Sequence, residues 1–292
     1  VDSNPDGGFV ASIDLNKEEV TFIERLPNEA QAAYSFAEVG LATVLTKQNK
    51  EYQDALKKRD VTNLDLVQID PWPAGGVVHE SIKPGHRAMK TISFLKENET
   101  DNAYAKPIQG VISHVDLTLK EVTCVEDFGV VPVPKAHARY DAESQSEFRE
   151  QPKPIEITQP EGTGFEVEGN QISWEGWQLR ASIHPVEGPV LHQVSLNERP
   201  ILHRASLSDM VVPYGSADPM HSWKAVHDGT EYGFGNLTNS LTLGCDCVGE
   251  IHYLDANILM FDGSVNFIEN AICIHEEDFG IQWKHMDFNN FI

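Results

Sequence analysis

The stretch NSLTLGCDCVGEIHYLD, residues 239–255, sets Cys245 and Cys247 two apart in an apolar run of alternating small and large side chains. Its reading decides between a metalloprotein, a thiol enzyme and a plain β-sandwich. In a strand, residues i and i+2 point to one face, so both thiols would line one surface. A disulfide between them is disfavoured by strain. The remaining cysteines are Cys124 and Cys273. Structural zinc takes paired C-x2-4-C knuckles, and here one pair exists at a shorter spacing, which argues against zinc. The residues leave open a bond from one of the pair to Cys273, or free buried thiols.

A chain of 292 residues exceeds one typical domain and predicts two folded units, each with its own core. The formal charge of −23 repels phosphate backbones and anionic lipid heads, so nucleic acid and membrane surfaces are excluded as partners. The longest apolar runs fall far below the ~20 residues of a spanning helix, and a soluble protein is expected. Near the start, GFVASIDL, a polar turn NKEE and VTF read as a hairpin whose partners lie upstream. The last residues, WKHMDFNNFI, complete no element, and a fragment cut at both ends is expected.

Residues 28–58 carry the long helical pattern, with Ala33, Phe36, Ala37, Leu41 and Val44 near helical spacing. Asn28 is the expected N-cap and Thr46 the cap of a second helix. Beyond it come β-rich segments: AMKTISFL, IQGVISHVDLTLKEVTCVED, GFEVEGNQISWEGWQLRASI, GPVLHQVSL and PILHRASL. A Pro-rich, charged stretch between them is too long for a hairpin turn and too polar for a core. The expected fold is a small α+β domain followed by the N-terminal part of a large all-β sandwich. Its boundaries are 1–22 for the tail of a preceding domain, 23–138 for the α+β domain, 139–153 for a linker and 154–292 for the sandwich part.

The twelve histidines form no H-x-H or H-E-x-x-H pattern. His184, His192 and His203 read as single structural histidines on strands. Acid–base chemistry is better supported at HSWKAVHDGTEYGFG, where Asp228 lies among Trp223, Val226, Tyr232 and Phe234. An apolar shell raises a carboxyl pKa toward the operating pH and makes a better base. The competing reading is a plain turn residue, because D-G is a common turn dipeptide.

Five ordered segments decide further: ITQPEG (157–162), RASLSDMVVPYG (204–215), WKAVHDGTEYG, NSLTLGCDCVGEIHYLD and NAICIHEEDFGIQWKH (270–285). In order and spacing they resemble the copper-containing, topaquinone-dependent primary amine oxidases, and the likeness extends through IQGVISHVDLTLKEVTCVEDFGVVPVP. It covers nearly the whole chain. The branch it resembles most is that of the bacterial phenylethylamine and histamine oxidases.

The resemblance implies oxidative deamination of small primary amines by O2, with copper and topaquinone as cofactors, in a homodimer. By it, Cys247 is bonded to Cys273, while Cys124 and Cys245 stay thiols. Asp228 matches the proton-abstracting base, and Tyr214 of VVPYG matches the tyrosine that hydrogen-bonds and orients the cofactor. Trp223, Val226 and His227 line the substrate channel, and Val226 and His227 stand where relatives often carry bulky aromatics, implying a wider or more polar gate. The cofactor tyrosine and the copper histidines lie downstream in relatives, and no N-Y-D/E occurs here, so no metal ligand is assigned to this chain. A non-catalytic β-sandwich binding module derived from the same family is the alternative. Sequons at Asn98 and Asn236 are compatible with secretion, and a cytoplasmic site is equally compatible with the sequence.

Overall fold

The computed structural model describes residues 8–27, 30–136, 138–260 and 262–291. The chain divides into two compact units, Val1–Glu150 with Ser208–Phe234, and Gln151–Leu207 with Gly235–Ile292.

The first unit opens with the expected hairpin, β1 (Phe9–Asp14) paired antiparallel to β2 (Glu19–Arg25), with a register shift between Ser12 and Ile13. Two helices follow, α1 (Phe36–Gln48) and α2 (Lys50–Lys57). Ser35 caps α1 in a reciprocal box. Its Oγ accepts the Glu38 N–H at 3.3 Å, and its own N–H donates to Glu38 Oε2 at 2.9 Å. Arg87 then clamps the same carboxylate through Nε at 2.5 Å. The cap expected at Asn28 lies outside the described residues. Thr46 is not a cap: it sits fully buried in the last turn of α1, its hydroxyl 3.2 Å from that of Thr91. Asn49 takes that role, because its extended backbone separates the helices and its Oδ1 accepts the Tyr52 N–H at 2.9 Å.

The sheet of this unit runs β3 (Val67–Pro73), β4 (Ala88–Leu95), β5 (Pro107–Asp116) and β6 (Glu121–Asp127), antiparallel throughout. One face packs on the helices, with Tyr52, Leu56, Val67, Ile69, Ile108 and Val111 in one cluster and Ala42, Met89 and Val115 in another. On the opposite face Ile92 and Ile112 pack against Met220 and Trp223 of the returning segment 208–234. Cover on both faces explains why six consecutive residues of β4 are buried rather than every second one.

The second unit is all β. Strands β7 (Phe165–Glu168), β8 (Gln171–Trp174), β9 (Trp177–His184), β10 (Gly188–Leu196) and β11 (Arg199–Ser206) form a five-stranded antiparallel meander. A hairpin, β12 (His252–Leu259) with β13 (Val265–Ile274), builds a second layer in which Ala256, Ile258, Ile268 and Ala271 meet Ile183 of β9. Cys245 and Cys247 do not lie in a strand. They occupy a tight turn, in which the Asp246 N–H donates to Thr242 O at 2.9 Å and the Gly244 N–H to Cys247 O at 2.7 Å. One thiol, Cys245, is therefore exposed while Cys247 is buried.

Candidate active site around Asp228

The first unit holds Asp228 and Tyr214 on the returning segment 208–234. The local order comes from side chains and amides rather than from a helix or strand. The Asp228 N–H donates to Met210 O at 2.8 Å, the Phe234 N–H to Asp228 O at 3.0 Å, and the His227 N–H to Glu231 Oε2 at 2.7 Å. Asp228 is thus a turn residue, as its D-G dipeptide indicates, and its carboxyl is also half-buried. Burial pushes that carboxyl up from its ordinary value, the nearby Asp209 charge adds to the push, and His227 opposes it.

Beneath this turn lies an aromatic cluster centred on Trp72 of β3. Its ring meets Tyr214 at 5.8 Å, Trp223 at 6.1 Å and Tyr232 at 6.4 Å between centroids, all edge to face. Two buried ammonium groups complete it. Lys224 Nζ lies 4.3 Å from the Trp72 centroid and 5.3 Å from that of Tyr214, and Lys90 Nζ lies 4.8 Å from that of Trp223. Burial lowers the Lys224 pKa, with Asp70 acting against it. The Tyr232 hydroxyl donates to Pro71 O at 3.3 Å, and burial, followed by Asp70, Asp228, Glu231 and Tyr214, pushes its phenol well above the usual range. Tyr214 and Tyr232 thus both meet Trp72, and the Asp228 charge adds to what keeps the Tyr232 phenol neutral.

Of the channel residues expected from sequence, Trp223 and Val226 are buried and His227 is exposed, its Nδ1 2.8 Å from Asp209 Oδ2. Tyr214 is half exposed and lies parallel to the His221 ring at 6.3 Å. Trp223 Nε1 and His221 Nδ1 are buried without a hydrogen-bond partner. Sequence reasoning missed Trp72, Lys90, Lys224 and Asp209. Lys224 and Asp209 sat inside quoted motifs, whereas Trp72, in VQIDPWP, had no signal beyond an aromatic between two prolines. Gly75, just after Trp72, has φ +58°, and a Cβ there would stand 3.1 Å from Ala225 O, so the lack of a side chain lets the two loops meet.

In the second unit Cys247 is bonded to Cys273, 26 residues on. Beyond the bond, Glu276 accepts from Gln159 Nε2 at 2.6 Å, Gly164 N at 2.7 Å and Trp174 Nε1 at 2.6 Å. That carboxylate ties the ITQPEG and HEED segments together. His192 meets the Ser182 hydroxyl at 3.0 Å, and His184 Nδ1 accepts two backbone N–H groups at 3.2 Å, both structural arrangements.

Among the described residues, two clusters bring possible metal-ligating atoms within 4.8 Å of one another: Cys247, Cys273 and His275, and His79, His114 and Glu126. The first has its sulfurs in the disulfide. In the second, His79 Nδ1 accepts the Ser81 N–H, His114 Nε2 is 2.7 Å from Glu126, and Lys90 adds a positive charge beside His114.

Two models of one family match the chain: copper amine oxidase, N3 domain, over residues 37–145, and copper amine oxidase, enzyme domain, over residues 166–291. A primary amine oxidase of Arthrobacter sp. (strain P1) is 41% identical over 284 residues, 96% of this chain and 44% of that protein. A histamine oxidase of Arthrobacter globiformis is 40% identical over 264 residues, 89% of this chain and 38% of that protein. The chain thus spans less than half the length of these relatives. In fold it is similar to a copper-containing benzylamine oxidase from Hansenula polymorpha, with TM-score 0.77 and 24% identity over 97% of this chain and 46% of that one. With both domain models in order along it, the chain belongs to the copper amine oxidase family.

Proposed function

We propose that the whole protein oxidises primary amines, R–CH2–NH2 + O2 + H2O giving R–CHO + NH3 + H2O2, with copper and topaquinone. This chain supplies the proton-transfer wall of that site. The observation that carries the proposal is Asp228, a half-buried carboxyl with a raised pKa on a turn closed by backbone bonds to Met210 and Phe234, in the same segment that brings Tyr214 to the Trp72 cluster.

The residues around Asp228 do not fit copper, which favours sets of nitrogen donors. His227 Nδ1 is engaged by Asp209 and His221 lies against Tyr214, so no step is drawn through the metal. They do fit a quinone neighbour. A half-exposed phenol and two partnerless buried ring nitrogens stand at the cluster, together with a carboxylate of raised basicity. When bound, the quinone supplies an electrophilic carbonyl for the amine nitrogen and takes up two electrons.

Asp228 then has one task, to receive the substrate's α-proton on a carboxylate oxygen. A pKa raised toward the working pH leaves it ionised yet more basic than a solvated aspartate. Tyr214 would orient the ring by donating its hydroxyl, and Trp72 and Tyr232 back this wall as a rigid apolar surface that excludes water. His227 forms the polar part of the channel wall, and Val226 and Trp223 shape it from behind. Asp228 is anchored in both directions along the backbone, through Met210 and Phe234, which limits its movement. The proposal includes the domain order 1–22, 23–138, 139–153 and 154–292, a homodimeric whole protein, and the disulfide as a structural bond away from the metal.

Replacing Asp228 by Asn in the full-length protein tests the reading. Size and hydrogen bonding are kept while the base is lost. Turnover should fall at least ~10²-fold, the lower end of what a positioned base contributes, with a much smaller change in substrate affinity. Under anaerobic mixing the variant should still bind the amine while cofactor reduction slows by the same factor. Reduction at the parent rate would return Asp228 to the role of a turn residue.

A further inference from the structure

Asp209 surrounds the turn that carries Asp228 without being next to it in sequence. Its Oδ2 lies 2.8 Å from His227 Nδ1 and accepts the Thr230 hydroxyl at 2.9 Å. Its Oδ1 accepts N–H groups from Met210 at 2.8 Å, Gly229 at 3.1 Å and Thr230 at 3.4 Å. Residues on both sides of Asp228 are therefore held by one carboxylate. The approach is close at Gly229, where a Cβ would stand 2.9 Å from Asp209 Oδ1 and displace that carboxylate from its present bonds. Met210, adjacent to Asp209, accepts the Asp228 N–H, so the contact is closed by the backbone as well.

We propose that Asp209 is a positioning residue for proton transfer: it fixes the Asp228 turn and, as a permanent negative charge beside it, sets the pH at which Asp228 can accept a proton. This rests on the reading of Asp228 as the base. Burial alone would raise the Asp209 pKa, but hydrogen bonds from Thr230, Met210 and His227 outweigh it and hold the carboxyl at about 2. Asp209 thus stays ionised wherever the protein works. A fixed anion makes the charged form of a neighbouring carboxylate less favourable and raises its basicity. The groups facing Asp228 act in both directions: Asp209 raises its pKa and His227 lowers it. Glu231 caps the His227 N–H, and the Tyr232 phenol is kept neutral by its raised pKa. Asp209 and His227 therefore form an opposed pair about the base.

The test uses the full-length protein with Asp209→Asn and, separately, His227→Gln. Two quantities are read against pH: kcat/KM for a primary amine, and the infrared carboxyl band assigned to Asp228 by its loss in Asp228→Asn. In Asp209→Asn the acid limb of the rate and the infrared midpoint should both move to lower pH. Turnover on the alkaline side should fall less than the ~10²-fold minimum expected for losing the base itself. In His227→Gln the midpoint should move the other way. Opposed displacements are not produced by a merely structural role. If Asp209→Asn keeps the parent midpoint, the proposal is overturned even where stability drops. If that variant does not fold, Asp209→Glu, which keeps the charge but lengthens the side chain against Gly229, is read in its place, with unchanged turnover and midpoint overturning the proposal. Should the protein oxidise no amine, the functional reading fails by itself, because the infrared titration still decides what Asp209 does.

Discussion

The two units hold their irregular segments by different means. In the first, residues 208–234 contain little regular secondary structure and are kept in place by Trp223 in an apolar cluster, by ammonium groups over aromatic faces, and by the Asp209 carboxylate. In the second, the turn around Cys247 and the segment after β13 are kept by a disulfide and by one carboxylate with three donors. The difference follows from the backing available. The first segment lies on a complete four-stranded sheet with apolar side chains to bury, whereas the second extends beyond a two-stranded hairpin whose Leu259, Val265 and Phe267 are exposed. A two-stranded hairpin is marginal alone, so a covalent tie has more to contribute there. A site needing small adjustments of charge and position sits where the fixing is non-covalent and distributed over many contacts.

The largest expected effect breaks the first kind of support. Trp223→Ala removes a buried indole from the Ile92, Ile112 and Met220 cluster and strips Lys90 of its aromatic face. Loss of a buried Trp typically costs about 3–5 kcal/mol, so chemical denaturation of the full-length protein should show a destabilisation in that range. Trp223→Phe keeps a π-face and should recover much of it. A loss under about 1 kcal/mol in Trp223→Ala would mean that the segment is held chiefly by its hydrogen bonds. The second kind of support should give a slightly smaller effect. Opening the Cys247–Cys273 bond by Cys273→Ser releases a loop with a sequence separation of 26. Chain entropy for such a loop is about 3 kcal/mol, read as an earlier unfolding transition. Peptide mapping without reduction should recover this pair joined and leave Cys124 and Cys245 alkylatable after unfolding.

Much of this contrast was legible in sequence, but unevenly. The strands AMKTISFL and GPVLHQVSL coincide with β4 and β10 because β-branched and apolar runs between turn residues carry a local signal. Strand β3, VQIDPWP, escaped notice, since prolines within a run count against a strand. The cap at Thr46 was misplaced by three residues because Thr and Asn both cap well, and the choice depends on Thr91 across the sheet, which no local pattern contains. The C-x-C was expected on a strand and lies in a turn, where the i, i+2 rule does not apply. At the site, Asp228 and Tyr214 stood in motifs, whereas Trp72 lies 142 positions before Tyr214 and meets it only through the fold. Buried cations such as Lys224 look like surface residues in sequence until the aromatic rings that receive them are known.

The smallest expected effect sharpens the comparison through pH. Glu276 is only half-buried, so its contribution to stability is modest, yet Gly164, Gln159 and Trp174 all donate to it and together hold its carboxyl below the usual glutamate range. A carboxyl depressed in the folded protein stabilises it above the unfolded value, about 4.3, and loses that contribution as the pH falls through the folded value. Glu276→Gln keeps one acceptor oxygen and removes the charge. Its melting temperature should therefore lie below the parent's at neutral pH, and the gap should close on acidification below about 4. Asp228 makes the opposite prediction in the first unit, because its carboxyl is raised rather than lowered. In Asp228→Asn the melting temperature should rise relative to the parent above the raised value, where the parent must hold an unfavourable charge, and the gap should vanish once acid protonates both states. Melting curves of the two variants recorded from pH 3 to 8 should thus diverge in opposite directions at high pH. A gap of the same sign in both would show that Asp228 is held as a structural carboxylate like Glu276, and would remove the physical ground for reading it as a base.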